Sequence, residues 1–382
     1  MRSVLFLVSI ALQAQSWVPQ VSGTDVALRG VSAVSDKIAW ASGQKGTFLR
    51  TLDGGTTWRA GKLPDAADLD FRDVQAFDAK TAYLLSAGPG IASRIYKTVD
   101  GGERWNLQMT NPDKEGFWDC FAFWDDTHGI VVGDPVDGRF TVMTTKDGSR
   151  WIRQKGPQAQ AMEGAFAASG TCVTTRGTRE AWFGTGGPNG ARVFHSTDGG
   201  ETWSVAKTPI RNDSANAGVF SIAFADNGRG VAVGGDYSKA GDATSTGAIS
   251  QDAGKSWSAI SLPGYRSAVT YSPSLGLWIA AGVSGSEVSN DGKDWRPIGS
   301  TAINANPSRK ICFIMRSSSE TTGDVTRAPD NMSRFLALLL FVLPGLATAL
   351  DNQPQHLPAQ KITAGMHVIN AEVASKIGRA HV

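Results

Sequence analysis

One short pattern recurs six times along the 382-residue chain and constrains its fold more than any other feature. It reads Thr51-Leu-Asp-Gly-Gly-Thr-Thr-Trp58, Thr98-Val-Asp-Gly-Gly-Glu-Arg-Trp105 and Thr145-Lys-Asp-Gly-Ser-Arg-Trp151 in the first half. Ser196-Thr-Asp-Gly-Gly-Glu-Thr-Trp203, Ser250-Gln-Asp-Ala-Gly-Lys-Ser-Trp257 and Ser289-Asn-Asp-Gly-Lys-Asp-Trp295 follow. Such a stretch is a hairpin. The carboxylates of Asp53, Asp100, Asp147, Asp198, Asp252 and Asp291 are placed to accept hydrogen bonds from N–H groups of their own turns. Gly supplies positive φ where the chain reverses. The closing Trp58, Trp105, Trp151, Trp203, Trp257 and Trp295 enter the next strand and pack their faces between sheets. The Ser or Thr two places before each Asp is small enough to back onto the turn. All twelve Asp and Trp residues are therefore expected to be structural.

The six Asp residues are 47, 47, 51, 54 and 39 residues apart. Periods of this size belong to propeller blades of four strands. Each interval repeats one internal order. An alternating strand such as Phe71–Phe77 or Val219–Phe224 comes first, and a polar turn follows. An apolar strand ending in Gly, such as Gly129–Gly133 or Gly230–Gly235, precedes the strand that leads into the hairpin. Trp17 stands about one repeat before Trp58 and is followed by Leu28-Arg-Gly-Val31, like the stretch after the other tryptophans. It is expected to close a last blade shared with the C-terminal end, which leaves no open sheet edge. The predicted fold is all-β: a seven-bladed β-propeller of four-stranded blades, with the last blade incomplete in this chain. The 44 Gly, 12 Trp and only 19% charged residues suit short strands and tight turns.

From Trp17 to about Ile298, nearly three quarters of the chain, these repeats resemble the Asp-box (bacterial neuraminidase repeat) propellers. Within them the chain is most similar to the photosystem II stability/assembly-factor group and its non-photosynthetic bacterial relatives. The resemblance implies a non-enzymatic extracytoplasmic scaffold that docks a protein partner in the cell envelope. In that group the partner is a photosynthetic reaction-centre subunit, and an Arg-lined face is the docking surface.

The two ends read differently. Met1-Arg2-Ser3 followed by an apolar run from Val4 to Leu12 predicts a signal peptide over 1–14, so export to the periplasm or exterior is expected. The propeller is assigned to 15–300. Residues 301–331 carry no Gly-ended strand and read as a frameshifted, aberrant segment. Met332–Ala349, with Arg334, a short apolar core and Ala347-Thr-Ala349, reads as a second signal-like segment over 332–350. Its apolar run is too short for a stable membrane span. Residues 351–382 are expected to be the disordered start of an unrelated secreted protein, ending in Lys376–Val382, which resembles a translated sequencing adapter.

Function must be argued from a site. The net charge of +2 gives no reason to invoke nucleic acid. With three Cys, no C-x-x-C and only His128 and His195 before residue 300, no metal site or cofactor is expected. Cys120 and Cys172 either pair or stay as buried thiols.

Arg29, Arg72 and Arg266 each follow an apolar residue (Leu28, Phe71, Tyr265) at the start of an innermost strand, so they converge on one end of the channel. Together they would form an anion site for a carboxylate or an acidic glycan. Otherwise each pairs with a local acid such as Asp73 or stays solvated. Gly-rich loops at 133–139, 163–170, 184–190 and 234–237 either line a binding surface or serve as tight turns, and they add Glu163, Asp236 and Tyr237 to the candidates beside Asp119 and Tyr265.

Three Arg also suggest a sialidase-like glycoside hydrolase. That resemblance implies a Tyr nucleophile (Tyr237 or Tyr265) paired with Glu163, and an acid from Asp119, Asp134 or Asp236. The chain departs from that family where Phe71-Arg72 is followed by Asp73-Val74 in place of Ile-Pro.

Overall fold

The computed structural model describes residues 20–298, together with the backbone of Trp17–Val18, Ile314–Met315, Lys361–Ala364 and His367–Asn370. Six four-stranded antiparallel sheets follow one another along the chain, each strand paired with its sequence neighbours. Their innermost strands are Leu28–Ala33, Phe71–Ala76, Trp118–Phe123, Val173–Arg176, Ala217–Phe224 and Ala268–Ser272, and these define blades 1 to 6. Six blades, not the predicted seven, are present among the described residues. A seventh would need three new strands after Ile298, and residues 301–331 offer no Gly-ended apolar run. Instead Trp17–Val18 pairs with Ile314–Met315 in a two-stranded antiparallel ribbon. Lys361–Ala364 and His367–Asn370 form a hairpin that joins the inner strand of blade 1 through Gly30 and His367. The expected signal peptide over 1–14, the segments 301–331 and 332–350, and the rest of the tail lie outside the described residues.

Antiparallel order gives the ring two unlike faces. Every inner strand starts on one face, which also carries the blade-to-blade connections and the loops between second and third strands. The opposite face carries the Asp-box turns. We call them the loop face and the box face.

The boxes are built alike. The Ser or Thr hydroxyl donates to the Asp carboxylate at 2.8–2.9 Å in five copies and 3.3 Å in the third. It also accepts an N–H from the turn, as at Gly55, where φ is +83°. The carboxylate in turn accepts N–H groups further along, such as that of Thr57 at 2.9 Å.

Packing between blades holds the ring. Trp105 lies edge-on to Trp40 and Phe48 of blade 1, and Trp203, Trp257 and Trp295 each pack on clusters that include the preceding blade. Trp40, Tyr83 and Trp182 on second strands donate to the backbone of the next blade at Asp78, Asp126 and Ala253. Each such ring combines apolar burial, on the order of 2–3 kcal/mol, with a satisfied polar tip.

Around the axis, inner-strand side chains serve the exposed edge of the next blade. Ser32 accepts from Ala76 N–H, Asp73 from Phe121 N–H, Gln75 from Phe123 N–H and Ser221 from Val269 N–H, at 2.9–3.1 Å. These bonds satisfy strand-edge donors that no sheet neighbour can reach. Cys120 of blade 3 is disulfide-bonded to Cys172, which leads into blade 4, and both are fully buried. Among the described residues no helix is long and apolar enough to cross a membrane.

Candidate functional site

The loop-face end of the channel is shaped by bulges. In blades 1, 2, 3 and 5 the register between the first two strands slips near its start. The residues left over are Arg29–Gly30, Arg72, Asp119 and Phe220. A bulge re-aims the side chain it carries, so equivalent slips present two guanidiniums, a carboxyl and a phenyl ring around one opening. All eight site residues named from the sequence fall on this face.

The structure does not bring the three Arg together as an open anion site. Arg29 grips Asp70 with two bonds of 3.0 and 2.8 Å, and Arg72 reaches the same carboxylate at 3.2 Å. Burial pushes the Asp70 carboxyl up, but the two guanidiniums outweigh it and hold the group below its ordinary value. Arg266 is bound bidentately by Glu287 and also donates to the Tyr265 carbonyl and Ser284 hydroxyl at 2.8 Å. The local-acid alternative therefore holds, through Asp70 and Glu287. Asp73, the acid named for that role, serves the backbone of Val74 and Phe121.

A third buried pair was not foreseen. Glu163 is bound by Arg192 through both carboxylate oxygens, and also accepts from Thr185 Oγ1 at 2.6 Å and Gln160 N–H at 2.8 Å.

Glu163 anchors a segment that lies across the channel. The chain from 163 to 170 alternates, with Glu163, Ala165, Ala167 and Ser169 buried and Gly164, Phe166 and Ala168 half-buried. Phe166 stacks on Phe220 of blade 5 at 3.8 Å and 8°, and Phe220 is edge-on to Tyr265 at 4.8 Å. The Ala167 carbonyl accepts from Arg72 of blade 2 at 3.4 Å. Blades 2 and 5 stand across the ring from one another, so a segment touching both stops the channel at its loop-face end. Below it, the inner strands of all six blades line a cavity of about 320 Å³.

Two carboxyls hold this plug. Asp134 accepts from Ala165 N–H at 3.0 Å, and Asp119 accepts from the Ala167 N–H, while the Asp134 N–H goes to the Phe117 carbonyl at 2.9 Å. Burial first, and the neighbouring Asp134 charge second, push the Asp119 carboxyl well above the usual range. Its second oxygen is buried and has no hydrogen-bond partner. Asp236 accepts from Ser238 N–H and from the Ser214 hydroxyl, and the Tyr237 hydroxyl donates to Asn216 at 2.7 Å. Burial pushes the Tyr237 phenol up and the Tyr265 phenol well up.

Asp70, Arg192, Glu287, Phe166 and Phe220 were missed in the sequence. Their signal is modest: Phe220 occupies the strand-start slot of Arg29, Arg72 and Asp119, and Asp70 stands two residues before Arg72, while Arg29, Arg192 and Arg266 lie far along the chain from their acids. Among the described residues no cluster of three or more His, Cys, Asp or Glu is arranged to hold a metal ion.

The BNR/Asp-box repeat family model matches residues 194–205, the fourth box. The chain resembles the Asp-box propellers. Among solved structures, YCF48 bound to D1 peptide superposes with a TM-score of 0.54 at 16% identity, over 94% of this chain and 97% of that one. YCF48 from Cyanidioschyzon merolae gives 0.53 at 15% identity, over 78% and 96%. An ancestral GH74 enzyme also gives 0.53, at 14% identity over 78% of this chain, but only 45% of its own length is covered. At these identities the likeness is one of fold. No curated protein sequence matches the chain.

Proposed function

We propose that this propeller is a non-enzymatic, extracytoplasmic scaffold of the photosystem II assembly-factor type, which docks a protein partner on its loop face. The observation that carries the reading is the commitment of the groups that a sialidase-type hydrolase would use as nucleophile, nucleophile partner and substrate clamp. Glu163 is held by Arg192 and Thr185, Tyr237 is bonded to Asn216, and Tyr265 is buried against Phe220. Arg29 and Arg72 share Asp70, and Arg266 is paired with Glu287. A nucleophile needs an adjacent base or a lowered pKa, and both phenols are shifted the other way.

Two further observations support the reading. A protein of the same fold, YCF48, is known bound to a D1 peptide, and a propeller face built from rigid strands and long loops suits such docking. The fully buried Cys120–Cys172 bond fits an oxidising compartment outside the cytoplasm, consistent with the leader read at 1–14.

The test pairs two assays on the full chain. Fluorescence anisotropy with a labelled D1 peptide is expected to show saturable binding, and a panel of sialosides and related acidic glycosides is expected to show no turnover. Turnover of any glycoside above the uncatalysed rate overturns the scaffold reading.

A further inference from the structure

The segment that closes the channel is held in the way a bound peptide is held. Its backbone supplies most of its fixed contacts. Gly164 and Gly186 form an antiparallel bridge with bonds of 3.2 and 2.9 Å. Ala165 N–H goes to Asp134 and Ala167 N–H to Asp119, while Arg72 reaches the Ala167 carbonyl. Main-chain capture with side chains in pockets is a mode of peptide recognition, here with a single bridge at Gly164 followed by a turn at Ala167–Ala168.

The pockets are selective. Phe166 alone fills a large one, between Phe220 and the bare Cα of Gly186, where a Cβ would stand 2.2 Å from its ring. Ala167 sits against Ala87 and Phe117, and Ala165 joins the cluster around Cys120. Larger side chains have no room beside them.

The walls and the occupant differ in kind. Asp119, Asp134, Arg72, Gly186 and Phe220 belong to the strands and strand ends of four blades. The occupant lies within a 19-residue connection between Arg153 and Val173. It is bounded by Met162 and Gly170, both at positive φ (+59° and +62°). The occupant also leaves the site incompletely used: one buried carboxyl oxygen of Asp119 has no hydrogen-bond partner. A ligand that meets it with a hydrogen-bonding group gains over the internal segment.

We propose that Gly164–Ser169 is an internal stand-in occupying a peptide cradle on the loop face. The partner engages this face by displacing it with a segment that carries an aromatic residue between small ones and a hydrogen-bonding group for Asp119. The inference rests on the docking reading and specifies its site.

The probe is a labelled peptide with the sequence of Glu163–Gly170, titrated into the full chain and into its Phe166→Ala variant by anisotropy. Loosening the internal competitor frees the cradle, so the variant is expected to bind at least about tenfold more tightly than the parent. Equal or absent binding by a variant whose circular dichroism shows it folded overturns the proposal.

Hydrogen exchange on the unsubstituted chain decides the matter if Phe166→Ala does not fold. The 164–169 amides are expected to exchange through local opening, well ahead of those of Trp118–Phe123, and to change when the D1 peptide is added. Exchange at the rate of the inner strands overturns the stand-in. Binding of the D1 peptide without any change at 164–169 does the same and leaves the docking reading in place. No binding of either peptide removes both.

Discussion

At the scale of single residues, the box is a hydroxyl and a carboxylate closing one turn together. Ser250 is buried, donates to Asp252 at 2.8 Å and accepts Gly254 N–H at 2.8 Å. Ser250→Ala leaves that N–H without a partner and is expected to cost about 1–3 kcal/mol in urea unfolding. An unchanged midpoint would show that the turn does not depend on the hydroxyl. The carboxylates carry a pH signature. Hydrogen bonds from Thr57, Arg150 and Ser256 hold Asp53, Asp147 and Asp252 down to about 2. A folded-state pKa below the unfolded value gives stability that is present above pH 4 and lost as pH falls through 2. Acid titration of the folded chain should show this loss between pH 4 and 2, and a midpoint that stays flat over that interval would contradict it.

The roles of Asp and Gly in the box were legible because each acts within eight residues, and that of Trp because it recurs at a fixed place after them. The partners of the three Arg were not. Asp70 lies 41 residues from Arg29, and Glu287 lies 21 from Arg266. Only the strand pairing and blade order bring these two pairs together, whereas Asp70 stands two residues from Arg72.

At the scale of strands and loops, the deciding elements are the bulged strand starts, the buried ion pairs and the plug. Arg266 and Glu287 are both almost fully buried. Removing one partner of such a pair leaves a stranded charge, so Arg266→Ala is expected to cost about 3–5 kcal/mol. A loss below about 1 kcal/mol would show that water reaches Glu287. The Cys120–Cys172 bond closes a span of 52 residues across blades 3 and 4. Reduction is expected to lower unfolding free energy by about 4 kcal/mol on loop-closure grounds, read as a drop in the denaturant midpoint after dithiothreitol treatment. No drop would mean that the bond adds no constraint beyond the packing of the blades.

Strand order and period were readable from Phe71–Phe77 or Gly230–Gly235 because alternation and terminal Gly survive in sequence. The plug was visible only as a Gly-rich stretch. Nothing in Glu163–Gly170 alone says that it crosses the ring to Arg72 and Phe220. That follows from where blades 2 and 5 stand.

For the whole molecule, repetition specifies the ring and irregularity marks its working end. Box-face turns are short and alike. The loop face holds the long 154–172 connection, the buried pairs Arg29–Asp70 and Arg192–Glu163, and the plug. Blade number was overestimated by one because Trp17 and the spacing implied a closing blade, while six are present among the described residues.

The central claim is that a protein partner docks on the loop face. The most direct test is a hydrogen-exchange footprint of the full chain with and without saturating D1 peptide. The account predicts protection confined to the loop face, at 63–70, 87–93, 111–117 and 154–172, with the six box turns unchanged. A footprint centred on the box turns, or no footprint at saturation, would contradict it.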